Sequence, residues 1–168
     1  MYKIDSPDWQ EGWASDNYFI PGTEETTETG GLIRYHKYGG IKCSVLLASK
    51  MRHTLLTAWP GELPFDAIVP VPGSLPEDIA QQFKLPVFSV VKLNDIKAKV
   101  MPLDERKIFL NNFRSYYLKA SKGILVIDDV FDTGNTLRGV CKSLKRYELP
   151  IYVLVLAINN HSSRNSGP

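Results

Sequence analysis

Residues 123 to 136 read GILVIDDVFDTGNT, and three carboxylates fall within five positions of that stretch. Asp128 and Asp129 close an apolar run. Asp132, Thr133, Gly134, Asn135 and Thr136 then lead into a segment of helical period. Two ionised carboxylates repel a bare anion, so they have to meet hydroxyls, which donate to them, or a hydrated Mg²⁺. A loop that opens a helix does the opposite. Its backbone N–H groups converge on an anion, Gly134 lets the backbone approach, and Thr133 and Thr136 add hydroxyl donors. Side by side, the two halves suit a sugar phosphate, with its hydroxyls on the aspartates and its phosphate in the loop.

Three other readings compete. An acidic pair after an apolar strand also occurs in Walker B segments, but the chain has no G-x-x-x-x-G-K-[ST] to hold a nucleotide. A phosphoacceptor aspartate leaves the Thr-Gly-Asn-Thr loop without a purpose. The third is a plain turn with a capped helix.

The elements that must position these groups follow from periodicity. Ile41, Val45, Ala48, Leu55 and Leu56 recur at helical spacing, which predicts a helix from Ile41 to about Trp59, ended by Pro60 and Gly61. FDAIVPVPGS predicts a short strand and a Pro-Gly turn. Ser74 to Glu77 fits a capping box, with a helix from about Leu75 to Phe83. PVFSVVKL, NFRSYYL, GILVID and IYVLVLAI read as further strands, and Thr136 to Tyr147 as a helix. Strands alternating with helices, two of them apolar on both faces, predict an α/β fold, a central mainly parallel sheet flanked by helices. In such a sheet the ligand crevice lies at the carboxyl ends of the strands, which is where Asp128 and Asp129 stand.

Four apolar residues, two acidic, one apolar, two variable and then T-G-x-T stand here as ILVI-DD-V-FD-TGNT. This resembles the fingerprint of type I phosphoribosyltransferases, Rossmann-like enzymes that bind 5-phosphoribosyl 1-diphosphate (PRPP) with Mg²⁺. The resemblance implies a glycosyltransferase that displaces pyrophosphate at ribose C1 with a nitrogen acceptor. By it, Asp128 and Asp129 take the ribose hydroxyls and face Mg²⁺ directly or through water, and Asp132, Thr133, Gly134, Asn135 and Thr136 take the 5′-phosphate. In the 6-oxopurine enzymes the residue before Thr-Gly is a carboxylate that faces N7 of the base. Asp132 is thus a candidate proton-transfer group, although a loop aspartate also binds its own backbone.

A looser resemblance points to the competence-protein (ComF-like) branch, on Tyr35 to Gly40 with Lys37, Asp66 to Pro72, Leu103 to Arg106, and Phe113. The branch's N-terminal zinc-binding cysteines are absent, Phe109 replaces an Asn, and the turn Pro72-Gly73-Ser74, which the resemblance assigns to pyrophosphate, lacks its usual cation. Lys97, Lys99 and Arg106, in the polar connection before the fingerprint, are the candidates to supply that charge, Arg106 as a catalytic group with Asp129 and Asp132. A PRPP-sensing regulator without chemistry and a DNA-uptake accessory stand as alternatives.

The totals constrain the rest. A chain of 168 residues, 43% hydrophobic, has the mass for one full core. Positions 1 to 30 hold one Lys against seven Asp and Glu, leaving a basic body of 19 against 11. We read 1–30 as an acidic, aromatic-containing extension, a hood or packing segment whose Trp9, Trp13, Tyr18 and Phe19 anchor on the core, and 31–168 as the phosphoribosyltransferase-like domain. The modest basic excess neither requires nor excludes nucleic acid. Cys43 and Cys141 show no metal spacing, and no apolar run reaches membrane-span length, so a cytoplasmic setting is the expectation. The resemblance adds a homodimer among the expectations.

Overall fold

The computed structural model describes residues 1–40, 42–94 and 111–159. Its centre is the pair of strands that read as continuously apolar. β6 (Ile124–Phe131) and β7 (Ile151–Ile158) run parallel, in register from Ile124 opposite Ile151 to Phe131 opposite Ile158. β3 (Ala67–Pro70) adds in parallel beyond β6. On the other side β2 (Glu11–Asn17) pairs in parallel with β7, and β1 (Tyr2–Lys3) closes that edge antiparallel to β2. The order is β1-β2-β7-β6-β3, the mainly parallel sheet that the sequence predicts.

Helices cover both faces, which is why β7 and the first half of β6, Ile124 to Ile127, can be apolar on both sides. One layer gathers Ile33 of α1 (Glu28–Tyr38), Leu47 and Met51 of α2 (Ser44–Ala58) and Leu75 and Ile79 of α3 (Ser74–Ala80) against Leu125, Ile127 and Leu154. The opposite layer sets Leu137, Val140 and Leu144 of α4 (Asn135–Leu144) against Ile124, Val126, Val153 and Val155. A 3₁₀ turn, Lys145–Tyr147, continues α4.

Four features differ from the sequence reading. The segments around Val90 and Phe113 do form strands, β4 (Val90–Lys92) and β5 (Phe113–Ser115), but these pair antiparallel with each other in a separate ribbon, and only Val87, just before β4, bridges Ile68 of β3 in parallel at the edge of the central sheet. Val91 and Arg114 are exposed in their middles, and such half-polar strands suit a ribbon wetted on one side. The aromatic N-terminal segment is a hairpin whose second strand is integral to the sheet, with Trp9 buried and Trp13 packed on the first layer. α3 begins at Ser74, not after it, with Gly73 in the cap position and the Glu77 carboxylate accepting from the Gly73 N–H at 3.3 Å.

The fourth is α1, which periodicity alone does not reveal because Gly30 and Gly31 weaken its first turn. Thr27 caps it by accepting from the Gly30 N–H at 3.0 Å. A Cβ on Gly30 would lie 2.1 Å from the Tyr18 carbonyl oxygen, so the helix start rests directly on the chain leaving β2. Local signals were present: Thr27 followed by Glu28, then His36 and Lys37 in the last turn before Gly39.

Asp66 fixes the bottom of the sheet. Its carboxylate accepts from the Ser121 hydroxyl at 2.6 Å and from the N–H groups of Ser121 and Lys122, tying the start of β3 to the turn before β6. The Ser121 hydroxyl, aided by these N–H groups, holds the Asp66 carboxyl down to about 2 despite some desolvation. A folded pKa below the unfolded one gives stability that is present above the ordinary carboxylate value and lost as pH falls towards 2. Acid titration of unfolding is therefore expected to be steeper between pH 4 and pH 2 for wild type than for Asp66→Asn.

Candidate active site

The carboxyl end of the sheet carries a cavity of about 420 Å³. Two stretches of chain and Lys37 line it: Asp128 to Leu137, from the end of β6 into α4, and Val71 to Pro76, from the end of β3 into α3. The sequence places Asp128, Asp129, Asp132, Thr133, Gly134, Asn135 and Thr136 at one site, and all seven line this cavity together with Pro72, Gly73 and Ser74. Lys97, Lys99 and Arg106 lie outside the described residues.

β6 does not stop at the aspartates. It continues to Phe131, with Val130 opposite Ala157. Neighbouring strand residues point to opposite faces, so the two carboxylates leave the strand on different sides. Asp129 reaches towards α1, where its Oδ2 lies 2.5 Å from Lys37 Nζ. Asp128 stands on the side of Ile124 and Val126, the layer that α4 covers. Its Oδ1 accepts from the Asp129 N–H at 2.8 Å.

Burial pushes the Asp128 carboxyl well above the usual range, and repulsion from Asp129 adds to it, against the Asp129 N–H and the Lys37 charge. Burial alone would lower Lys37, yet attraction to Asp129, their hydrogen bond and the Asp128 charge outweigh it, and the ammonium is held above its ordinary value. Lys37 is the residue that sequence reasoning left out of the site. In the sequence it stands only within the Tyr35 to Gly40 segment, and periodicity that does not reveal α1 does not show which way it faces.

The loop turns directly into the start of α4. Gly134 has φ +73 and caps α4, and the Arg138 N–H donates to its carbonyl at 2.8 Å. Behind it the Asn159 N–H donates to the Phe131 carbonyl at 2.7 Å, and the Asn159 amide lies 3.4 Å from Asp132 Oδ1. A side cavity of about 310 Å³ opens here, walled by Tyr18, Phe19, Ile33 and Tyr38 and floored by Asp129, Asp132 and Asn159. Two aromatics expected to be core anchors, Tyr18 and Phe19, thus also face a cavity.

A phosphoribosyl transferase domain model matches residues 67–166, which takes in β3, α3, β6, α4, β7 and the stretches that line the larger cavity. The chain belongs to the phosphoribosyl transferase family. Phosphoribosyl transfer is the general activity of that family. Solved structures with a similar fold include an adenine phosphoribosyltransferase, with TM-score 0.50 and 13% identity over 76% of this chain and 83% of that one. A UMP synthase from Leishmania donovani gives TM-score 0.48 and 17% identity over 88% of this chain but 29% of its own. A hypoxanthine phosphoribosyltransferase from Staphylococcus aureus gives TM-score 0.41 and 13% identity over 74% of this chain and 67% of its own. At 13% identity the likeness to the adenine enzyme is one of fold alone. Comparison with curated protein sequences gives no significant match.

Among the described residues no cluster of three or more His, Cys, Asp or Glu side chains could hold a metal ion. The donor set fits Mg²⁺ in another way. This ion keeps several waters and is commonly held by one or two carboxylates together with substrate phosphates. The cavity of this phosphoribosyl transferase fold offers such carboxylates in Asp128 and Asp129, the second already neutralised by Lys37. No described helix is long and apolar enough to cross a membrane.

Proposed function

We propose that the chain binds PRPP with Mg²⁺ and transfers its phosphoribosyl group to a nitrogen acceptor, with a 6-oxopurine base the first candidate. The observation that carries this reading is the convergence on one cavity of the aspartate pair, the Asp132 to Thr136 loop and the Pro72 to Ser74 turn. Asp128 and Asp129 accept from the ribose hydroxyls. The N–H groups and hydroxyls of the loop hold the 5′-phosphate. Gly73 and Ser74 border the diphosphate.

The acceptor nitrogen attacks ribose C1, the C1–O bond to diphosphate breaks, and its electron pair leaves on the diphosphate oxygen. Asp132 takes the proton that the acceptor loses. Bound Mg²⁺, held by Asp128 and Asp129 directly or through water, would neutralise charge on the leaving diphosphate. The side cavity suits the acceptor, since Tyr18, Phe19 and Tyr38 offer aromatic surface to a planar base and Asp132 and Asn159 offer polar groups. On this reading Tyr18 and Phe19, in the chain leaving β2, form a partial hood over the acceptor, while β1 and β2 belong to the sheet of the domain itself.

The short connection from Pro70 to Ser74 favours a second reading, a PRPP sensor without turnover, because it carries no cation of its own. The ComF-like resemblance, with its expectation of DNA association, a homodimer and a cytoplasmic setting, belongs with these proposals. Titration calorimetry with PRPP and Mg²⁺, followed by pyrophosphate release against purine, pyrimidine and amine acceptors, separates them. Binding with release identifies the transferase, and binding without release the sensor. No Mg²⁺-dependent binding sinks both.

A further inference from the structure

Of the described residues that line the larger cavity, three are carboxylates, Asp128, Asp129 and Asp132, and one is a cation, Lys37. The proposed donor brings its own phosphates into that space. A leaving diphosphate gathers negative charge as it departs, and an enzyme lowers that barrier with a cation placed beforehand. We infer that Lys37 is the cation that meets the leaving diphosphate, in place of one on the Pro72-Gly73-Ser74 turn. The inference rests on the donor-binding reading above.

Its placement supports this role. Lys37 lies in the last turn of α1, lines both the larger and the side cavity, and keeps its side chain one third exposed while Nζ contacts Asp129. It therefore stands where the two compartments meet, the border at which C1 exchanges partners. An ammonium has three N–H donors, so it can keep Asp129 and still donate to a phosphate oxygen.

The next residue up the helix fixes this position against the diphosphate turn. His36 is buried, its Nδ1 accepts from the Cys43 N–H at 3.2 Å, and its Nε2 lies 3.7 Å from Asp78 Oδ2 on α3. α3 is the helix that Gly73 opens. The end of α1 and the diphosphate turn are thus held to one another. During transfer Lys37 stays protonated. The C1–O electron pair goes to the departing oxygen, the acceptor nitrogen bonds C1, and its proton goes to Asp132.

The test uses inorganic pyrophosphate with Mg²⁺ and, separately, ribose 5-phosphate, on wild type, Lys37→Met, Lys37→Arg, Asp129→Asn and the Lys37→Met/Asp129→Asn double variant, in which no lone charge is left behind. Lys37→Met is expected to weaken pyrophosphate at least tenfold and, where turnover is measured, to lower kcat by about 10² to 10³ with the acceptor KM unmoved. Lys37→Arg recovers part of the pyrophosphate affinity. Asp129→Asn, which removes a carboxylate placed on Mg²⁺, weakens it by less than Lys37→Met does, and the double variant loses it at least as far as Lys37→Met.

Equal pyrophosphate affinity in wild type and Lys37→Met overturns the inference, as does a loss that appears to the same extent in Asp129→Asn, which would make Lys37 only a holder of Asp129. A wild type that binds ribose 5-phosphate but no pyrophosphate overturns it while sparing the sugar-phosphate site. One that binds pyrophosphate but no ribose 5-phosphate sinks the donor reading instead.

Discussion

Asp128→Asn is expected to raise the melting temperature while weakening PRPP binding, so that stability and function move in opposite directions at one residue. Asp128 is half-buried beside a second carboxylate, and burial, with repulsion from Asp129, raises its pKa. A folded pKa above the unfolded one means that protonation favours the fold. The ionised carboxylate costs stability above that raised pKa, and the cost is relieved as pH falls through it.

Asparagine removes the charge yet keeps an oxygen for the Asp129 N–H that Asp128 now accepts. A gain of roughly 3 °C at pH 7 corresponds to about 1 kcal/mol in a chain of this size. The advantage of the variant should shrink as the pH is lowered through the raised pKa. Binding suffers because a neutral amide accepts less strongly from a ribose hydroxyl. Losing a charge-assisted hydrogen bond worth about 1.5 to 3 kcal/mol weakens binding by about 10- to 100-fold. Asp128→Asn/Asp129→Asn should weaken it by about 10² or more, since both acceptors go. Thermal unfolding at pH 5 and pH 7 with calorimetric titration reads both effects. A melting point that does not rise, or an unchanged PRPP affinity, removes Asp128 from the proposed role.

Gly134→Ala should strike the other end of the donor. At φ +73 any L residue is strained by about 1 to 2 kcal/mol. The added methyl would also lie 2.8 Å from the Phe131 ring, which packs edge-on against Trp9 at 6.4 Å and so has limited room to give way. The cheapest relief is for the loop to move outward and carry its N–H groups from the phosphate position. Ribose 5-phosphate affinity is expected to fall by about 10- to 100-fold, the loss of one or two charge-assisted bonds, with pyrophosphate affinity unchanged. Gly134→Val should do worse. An equal loss of both ligands would mean that the loop serves the whole cavity and is not a phosphate receptor.

Why so much of the site was readable follows from where it sits in the chain. Asp128 to Thr136 is nine consecutive residues that span one strand end, one loop and one helix start, so chain connectivity alone holds most of its groups together. β7 was legible for a similar reason. Ile151–Ile158 is apolar without a break, and only a central strand covered on both faces can bury that. α1 was harder to read despite its cap signals, because the need for Gly30 in its first turn is explained by the Tyr18 carbonyl pressed against it, a contact between residues of different elements. The antiparallel pairing of β4 with β5 was equally hidden. Their patterns announce strands but name no partner.

By itself the sequence determined the α/β class, the crevice at the carboxyl end of β6, and the pairing of carboxylates with a glycine-bearing loop that opens a helix, because these depend on residues close in the chain. The tertiary structure decided what those groups face. It sent Asp128 and Asp129 to opposite sides of the strand, turned α1 so that Lys37 meets Asp129, and brought Tyr18 and Phe19 beside Asp132 and Asn159. Charge balance in the cavity depends on contacts across more than ninety positions of chain, and only the packing of helices on the sheet brings such positions together.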